Sequence, residues 1–127
     1  MAKNAKQFEE RPWGSFEVIA EFEVENDLGP HAVVKKITVN PKQRLSYQSH
    51  KGRREFWLIV QGKGQVVLGG KEIAVSAGSR VEVPQGAKHR VVNTDANQAL
   101  LFVEVSLGSF DENDILRYDD DYGRTNA

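Results

Sequence analysis

Gln48, His50, Glu55 and His89 are the side chains of this sequence whose types and grouping could do chemistry together. Two imidazoles, a carboxylate and an amide oxygen form a donor set for one divalent cation. Zinc, manganese, iron and cobalt all accept nitrogen and oxygen ligands of this kind. Such a set leaves positions open on the ion, and open positions mark a catalytic centre rather than a closed structural one. The donors lie in two separated stretches, Gln48-Ser49-His50-Lys51-Gly52-Arg53-Arg54-Glu55 and Pro84-Gln85-Gly86-Ala87-Lys88-His89. The chemistry therefore needs a fold that makes the two stretches converge.

The elements around these residues read as short strands. Runs rich in Val, Ile and Phe, punctuated by Gly, Pro, Asn and Asp, predict strands over Phe16–Phe22, Ala32–Val39, Leu45–Ser49, Glu55–Gln61, Gln65–Leu68, Glu72–Val75, Arg80–Val83, His89–Asn93 and Ala99–Ser106. Many short strands at this spacing suggest a sandwich or barrel. Gly69-Gly70 suits a two-residue hairpin that needs positive φ. Gly62-Lys63-Gly64 is expected to reverse the chain between its flanking strands. Asn40-Pro41 and Val83-Pro84 end strands, because proline lacks the N–H that a ladder needs. Residues 1–10 are expected to be a flexible arm ahead of one domain over 11–127, and Asp111–Tyr118 is the one segment that could hold a helical turn. His31, after Gly29-Pro30, reads as a loop residue without a role. In a strand, residues i and i+2 share a face. Gln48 and His50 then point one way, and Glu55, Trp57 and Ile59 share another face, so all four donors can enter a barrel interior.

Composition narrows the function further. The chain has 127 residues, enough for one domain to bury a core. With no cysteine, disulfide scaffolds, thiolate zinc sites and cysteine nucleophiles are excluded. The formal net charge is -1, so no strong field draws the chain to nucleic acid or to an anionic membrane. No signal-peptide-like run opens the sequence and no apolar stretch suits a membrane span. A soluble cytoplasmic protein is expected.

Two motifs carry a resemblance. Gly78, Pro84, Gly86, His89 and Asn93 match the second cupin motif, G-x5-P-x-G-x2-H-x3-N, at every spacing. Gln48, His50, Glu55 and Gly62 are similar to the first motif, with Gln48 in place of its leading His and no leading Gly. More closely, the chain resembles the cupin domain of type II mannose-6-phosphate isomerases, often found as the C-terminal part of bifunctional mannose-1-phosphate guanylyltransferases. Arg11-Pro12-Trp13-Gly14-Ser15-Phe16, Arg44-Leu45-Ser46-Tyr47-Gln48-Ser49-His50, Gly86-Ala87-Lys88-His89-Arg90 and the run from Asp114 to Arg124 are similar to its motifs. The sequence departs from that family at Lys51, Gly52 and Phe56, where the family often has His.

The resemblance implies an all-β cupin (a jelly-roll barrel) with Gln48, His50, Glu55 and His89 holding one divalent metal ion, zinc, manganese or cobalt. It implies an isomerase interconverting mannose 6-phosphate and fructose 6-phosphate, in the supply of GDP-mannose. Such a reaction needs a group to move a proton and cations to hold phosphate. Glu55 and Glu104 are the candidate carboxylates, the latter in the apolar run Leu100–Val105. Arg124, near the C-terminus, can fold over the barrel mouth, and Arg53, Lys88, Arg90, Arg117 and Arg11 are further candidate cations. Trp13 and Trp57 are read as packing residues. Two other functions fit the same residues: a non-catalytic sugar or sugar-nucleotide binding module, and a metal-dependent oxygenase. The sequence leaves room for a homodimer, with Phe16–Phe22 or the arm exchanged, and for a separate guanylyltransferase partner.

Overall fold

The protein is described by a computed structural model covering residues 7–25, 27, 29–109, 111 and 113–125. Eleven strands run in chain order: β1 (Gln7–Arg11), β2 (Gly14–Glu23), β3 (His31–Val39), β4 (Tyr47–Ser49), β5 (Arg53–Gln61), β6 (Lys63–Leu68), β7 (Lys71–Ser76), β8 (Arg80–Val83), β9 (His89–Asn93), β10 (Leu100–Gly108) and β11 (Leu116–Asp119). They form two antiparallel sheets. One has six strands in the order β1-β2-β3-β10-β5-β8, and the other five in the order β11-β4-β9-β6-β7. The inner faces meet in one apolar core that takes Ile37, Val39, Ile59, Leu100 and Phe102 from the first sheet and Val66, Val75 and Val91 from the second. This is the all-β cupin barrel. Among the described residues, no helix is long and apolar enough to cross a membrane.

Strand alternation sorts each sequence into an inner and an outer row. Along β10, Leu100, Phe102, Glu104, Ser106 and Gly108 are buried while the residues between them are partly exposed. The inner row therefore changes from apolar to polar along its length. β5 does the reverse, from Glu55 through Trp57 to Ile59. In register, Glu55 stands opposite Ser106 and Trp57 opposite Glu104. One end of the barrel is thus filled by hydrocarbon and the other by ionisable groups. At the apolar end Phe102 and Ile59 are fully buried, and truncating a residue like Phe102 to alanine costs about 3–5 kcal/mol.

Asn93 closes the apolar end. Its Nδ2 donates to the carbonyls of Val39, Asn40 and Gln98, and its Oδ1 accepts the Asp95 N–H. The last motif residue is accordingly a structural clasp. Gly69 and Gly70 form the expected hairpin, with φ of 56° and 84° and Leu68 paired to Lys71.

Four expectations change. The arm is a strand from Gln7 onward: β1 folds onto β2 of its own chain, Arg11 facing Gly14. Its residues are charged because it is an edge strand, where charge discourages further pairing. Residues 1–6 lie outside the described residues. The segment read as a helical turn makes a single turn, with the Asp114 N–H donating to the Asp111 carbonyl, and then enters β11, which pairs with β4 and joins the second sheet. Gly62-Lys63-Gly64 does not make a hairpin, since β5 and β6 belong to different sheets; the glycines carry the chain across the barrel corner. His31 opens β3 rather than lying in a loop.

Candidate metal centre

His50 follows β4, Glu55 begins the inner row of β5, and His89 opens β9. All three are buried, and one donor atom from each lies within 4.8 Å of the others. His50 Nε2 is 3.7 Å from Glu55 Oε2, and His89 Nε2 is 3.9 Å from Glu55 Oε1. Gln48 stands directly across from His89 in the β4–β9 register, so their side chains share a face. Its Oε1 accepts a hydrogen bond from Ser46 at 2.8 Å.

Backbone carbonyls set the tautomer of both rings. His50 Nδ1 is 2.8 Å from the Asp114 carbonyl, and His89 Nδ1 is 3.0 Å from the Ala87 carbonyl. A carbonyl only accepts, so each Nδ1 carries a proton and each Nε2 is the ring atom turned to the shared space. This is the outer support that ligating histidines need. Burial, then the Arg53 charge, lower the His50 pKa to about 4, which keeps the ring neutral. His89 Nε2 is buried with no hydrogen-bond partner. An orphaned ring nitrogen of this kind is costly unless something fills its place. The donor types, their closeness and the orphaned Nε2 all fit one divalent ion.

The surroundings hold the carboxylate in place. Trp57 Nε1 donates to Glu55 Oε1 at 3.2 Å, and Arg53 Nε donates to Oε2 at 3.0 Å. Arg53 Nη2 also lies 3.1 Å from His50 Nε2. Asp114 supports His50 a second way: its carboxylate accepts the N–H groups of Lys51 and Gly52, both at 2.8 Å. Glu104 lies inward, 6% exposed, and accepts from Ser106 Oγ at 3.0 Å. Burial, and then the charge of Glu55, push its carboxyl pKa up. Trp13 and Trp57 both pack in the core.

A cleft of about 440 Å³ opens onto this centre, lined by His50 and Arg53 with Arg117 and residues of β1, β2 and β3. The expected phosphate-binding cations divide on this point. Arg11, Arg53 and Arg117 line the cleft, whereas Lys88, Arg90 and Arg124 do not. Arg90 donates to the Leu45 carbonyl and to Asp119. Arg124 is bound to Asp120 through Nε and Nη2 as well as through its backbone N–H. The Lys88 ammonium sits 4.3 Å from the Tyr118 ring centre. These three tie down β11 and the C-terminal segment.

Residues 2–120 match the family described as "Mannose-6-phosphate isomerase C-terminal". The chain belongs to that family. Among curated members it is 37% identical over 116 residues to the xanthan biosynthesis protein XanB of Xanthomonas campestris, covering 91% of this chain and 23% of that protein. It is 36% identical over 115 residues to a mannose-1-phosphate guanylyltransferase of Salmonella montevideo, covering 90% of this chain and 23% of that one. The chain thus spans about a quarter of the length of the family members it matches. In three dimensions it superposes on a cupin-2 domain from Rhodospirillum rubrum with a TM-score of 0.68 at 17% identity, over 87% of this chain and 75% of that one.

Three contributors to the site carry little signal in the sequence. Asp114 stands in the terminal motif, and its hold on His50 depends on β11 reaching β4. Ser106 shares the inner row with Glu104, a pairing that strand alternation favours. Lys35 interrupts the inward row Val33, Ile37 and Val39 and lines the cleft; a lysine at that period is the signal that could find it.

Proposed function

We propose that the chain is a metal-dependent aldose–ketose isomerase that interconverts mannose 6-phosphate and fructose 6-phosphate. The observation that carries this reading is the convergence of His50 Nε2, His89 Nε2 and one fixed carboxylate beside an open cleft. Membership of the family supports the choice of substrate.

His50, Glu55 and His89, with Gln48 beside them, would hold a divalent ion, which supplies positive charge against a substrate carbonyl oxygen. The reaction moves one proton between adjacent carbons. We assign it to Glu104, which stands opposite Trp57 on the inner row that also holds Glu55 and whose carboxyl pKa is raised by burial and by the charge of Glu55. Arg117 presents guanidinium N–H groups to the phosphate from the cleft wall. Metal analysis of the purified chain beside an isomerase assay with added zinc, manganese or cobalt tests the reading. Bound metal together with turnover that disappears in His50→Ala and His89→Ala supports it. A metal-replete chain inert toward both sugar phosphates overturns it.

One observation favours a second reading. Arg53 makes contact with both His50 Nε2 and Glu55 Oε2, placing a cation where an ion would bind. A sugar-phosphate binding module without a metal would use that arrangement directly. Tight binding of mannose 6-phosphate that survives chelation, with no turnover, would select this alternative.

A further inference from the structure

Lys35 occupies an unusual position for a lysine. It lies at the middle of β3, paired with Val18 of β2 on one side and Glu104 of β10 on the other. Its inner-row neighbours Val33, Ile37 and Val39 are all buried. A charge there loses water, so it must gain something in return. The ammonium lies 4.6 Å from the centre of the Phe16 ring, a contact that steers and holds a cation without neutralising it. It forms no hydrogen bond or ion pair with any described residue. The Glu104 carboxyl feels its charge but is not bound to it.

The other cations differ. Arg11 is ion-paired with Glu9 at 2.6 Å, and Arg53 with Glu55 at 3.0 Å. Arg44, Arg90 and Arg124 are committed to Asp121, Asp119 and Asp120. Arg117 lines the cleft beside Lys35, and burial, with the charges of Arg124 and Arg11, lowers its pKa. Of the four carboxylates that line the cleft, Glu9 pairs with Arg11, Asp114 accepts the Lys51 and Gly52 N–H groups, Asp111 accepts the Asn113 N–H, and Glu21 stands exposed. Lys35 is thus a cleft-lining ammonium with donors to spare.

We propose that Lys35 is an anion-binding group of this cleft, receiving with Arg117 the phosphate of a phosphomonoester sugar while the carbonyl end is directed at His50. The inference rests on the isomerase reading for its substrate class and adds a residue from the middle of β3. A lysine ammonium offers three donors to phosphate oxygens, and Phe16 fixes where the charge stands. The placement separates the two ends of the substrate: phosphate against β3, reacting carbons against the buried carboxylates.

Calorimetric titration of the full chain with mannose 6-phosphate, inorganic phosphate and unphosphorylated mannose tests this. Lys35→Met keeps the stem and removes the charge. It is expected to weaken both phosphate ligands by about 10- to 100-fold, the loss of one charge-assisted hydrogen bond. Metal content should be unchanged, and Lys35→Arg should keep most of the affinity. Melting curves establish folding, and Lys35→Gln serves should Lys35→Met not fold. Wild-type affinity for mannose 6-phosphate in a folded Lys35→Met overturns the inference, as does an equal loss for mannose. Lys35-dependent binding without any turnover upholds Lys35 and removes the isomerase reading. A wild-type chain that binds neither phosphate ligand removes both.

Discussion

Arg53 Nη2 lies 3.1 Å from His50 Nε2, within hydrogen-bond distance of the ring nitrogen that a metal would need. That nitrogen has one lone pair, so the guanidinium and an ion compete for it. Removing the guanidinium also removes a positive charge beside the ion. Arg53→Met is expected to raise the affinity of the chain for zinc or manganese by about tenfold, the effect of one modest charge contact. Titration of metal into chelator-treated protein reads this directly. Unchanged or weaker metal binding would show that Arg53 does not contest the site.

His50 should remain neutral in the metal-free chain until the pH approaches 4, because burial and then Arg53 depress its pKa to about that value. The unfolded ring titrates near its ordinary value of about 6.5. Between these limits the unfolded state holds the extra proton, so stability rises with pH across the window. Full protonation of the unfolded ring withdraws about 3 kcal/mol by pH 4. Ring-carbon chemical shifts against pH give the midpoint, and denaturation at pH 4 and 7 gives the stability change. A midpoint near the unfolded value would contradict the geometry.

Glu104→Gln keeps the shape and the hydrogen bond from Ser106 but cannot exchange a proton. If Glu104 moves the substrate proton, turnover should fall by about 100-fold or more with metal content intact. Because the buried charge also disappears, the variant should melt at the same temperature or higher. Retained turnover would shift the assignment to another group.

Arg124→Met probes a residue that is hydrogen-bonded to Asp120 and lies over the Tyr122 ring. The Arg124 hydrogen bond holds the Asp120 pKa down. A lowered carboxylate pKa stabilises the fold at neutral pH, and the contribution fades as acid protonates Asp120. The variant should lose about 1–2 kcal/mol at pH 7, discounted because the guanidinium is partly exposed, and lose less at pH 3. The KM for mannose 6-phosphate should stay within about twofold, since a group outside the cleft contributes no charge-assisted contact. A large rise in KM with normal melting would return Arg124 to the substrate.

Local chemistry makes part of this protein legible in its sequence alone. Alternating Val, Ile and Phe runs broken by Gly and Pro declare short strands, because the period of two and the missing proline N–H act within a few residues. The spacing from Pro84 to His89 is local in the same way, and so is the Gly69-Gly70 hairpin. Which strands lie side by side is a different matter. β10 inserts between β3 and β5, and β4 pairs with β9, through contacts between residues far apart in sequence.

Those long-range pairings decide the chemistry. They bring Glu55 between His50 and His89, turn Glu104 inward, and carry Asp114 to the back of His50. They also divide the arginines into cleft and clasp, since a guanidinium reads identically in sequence whether it faces an open cleft or an aspartate. Lys35 shows the boundary well: strand alternation puts it on the inner row, but only the packed barrel reveals that no carboxylate of the described residues closes on it.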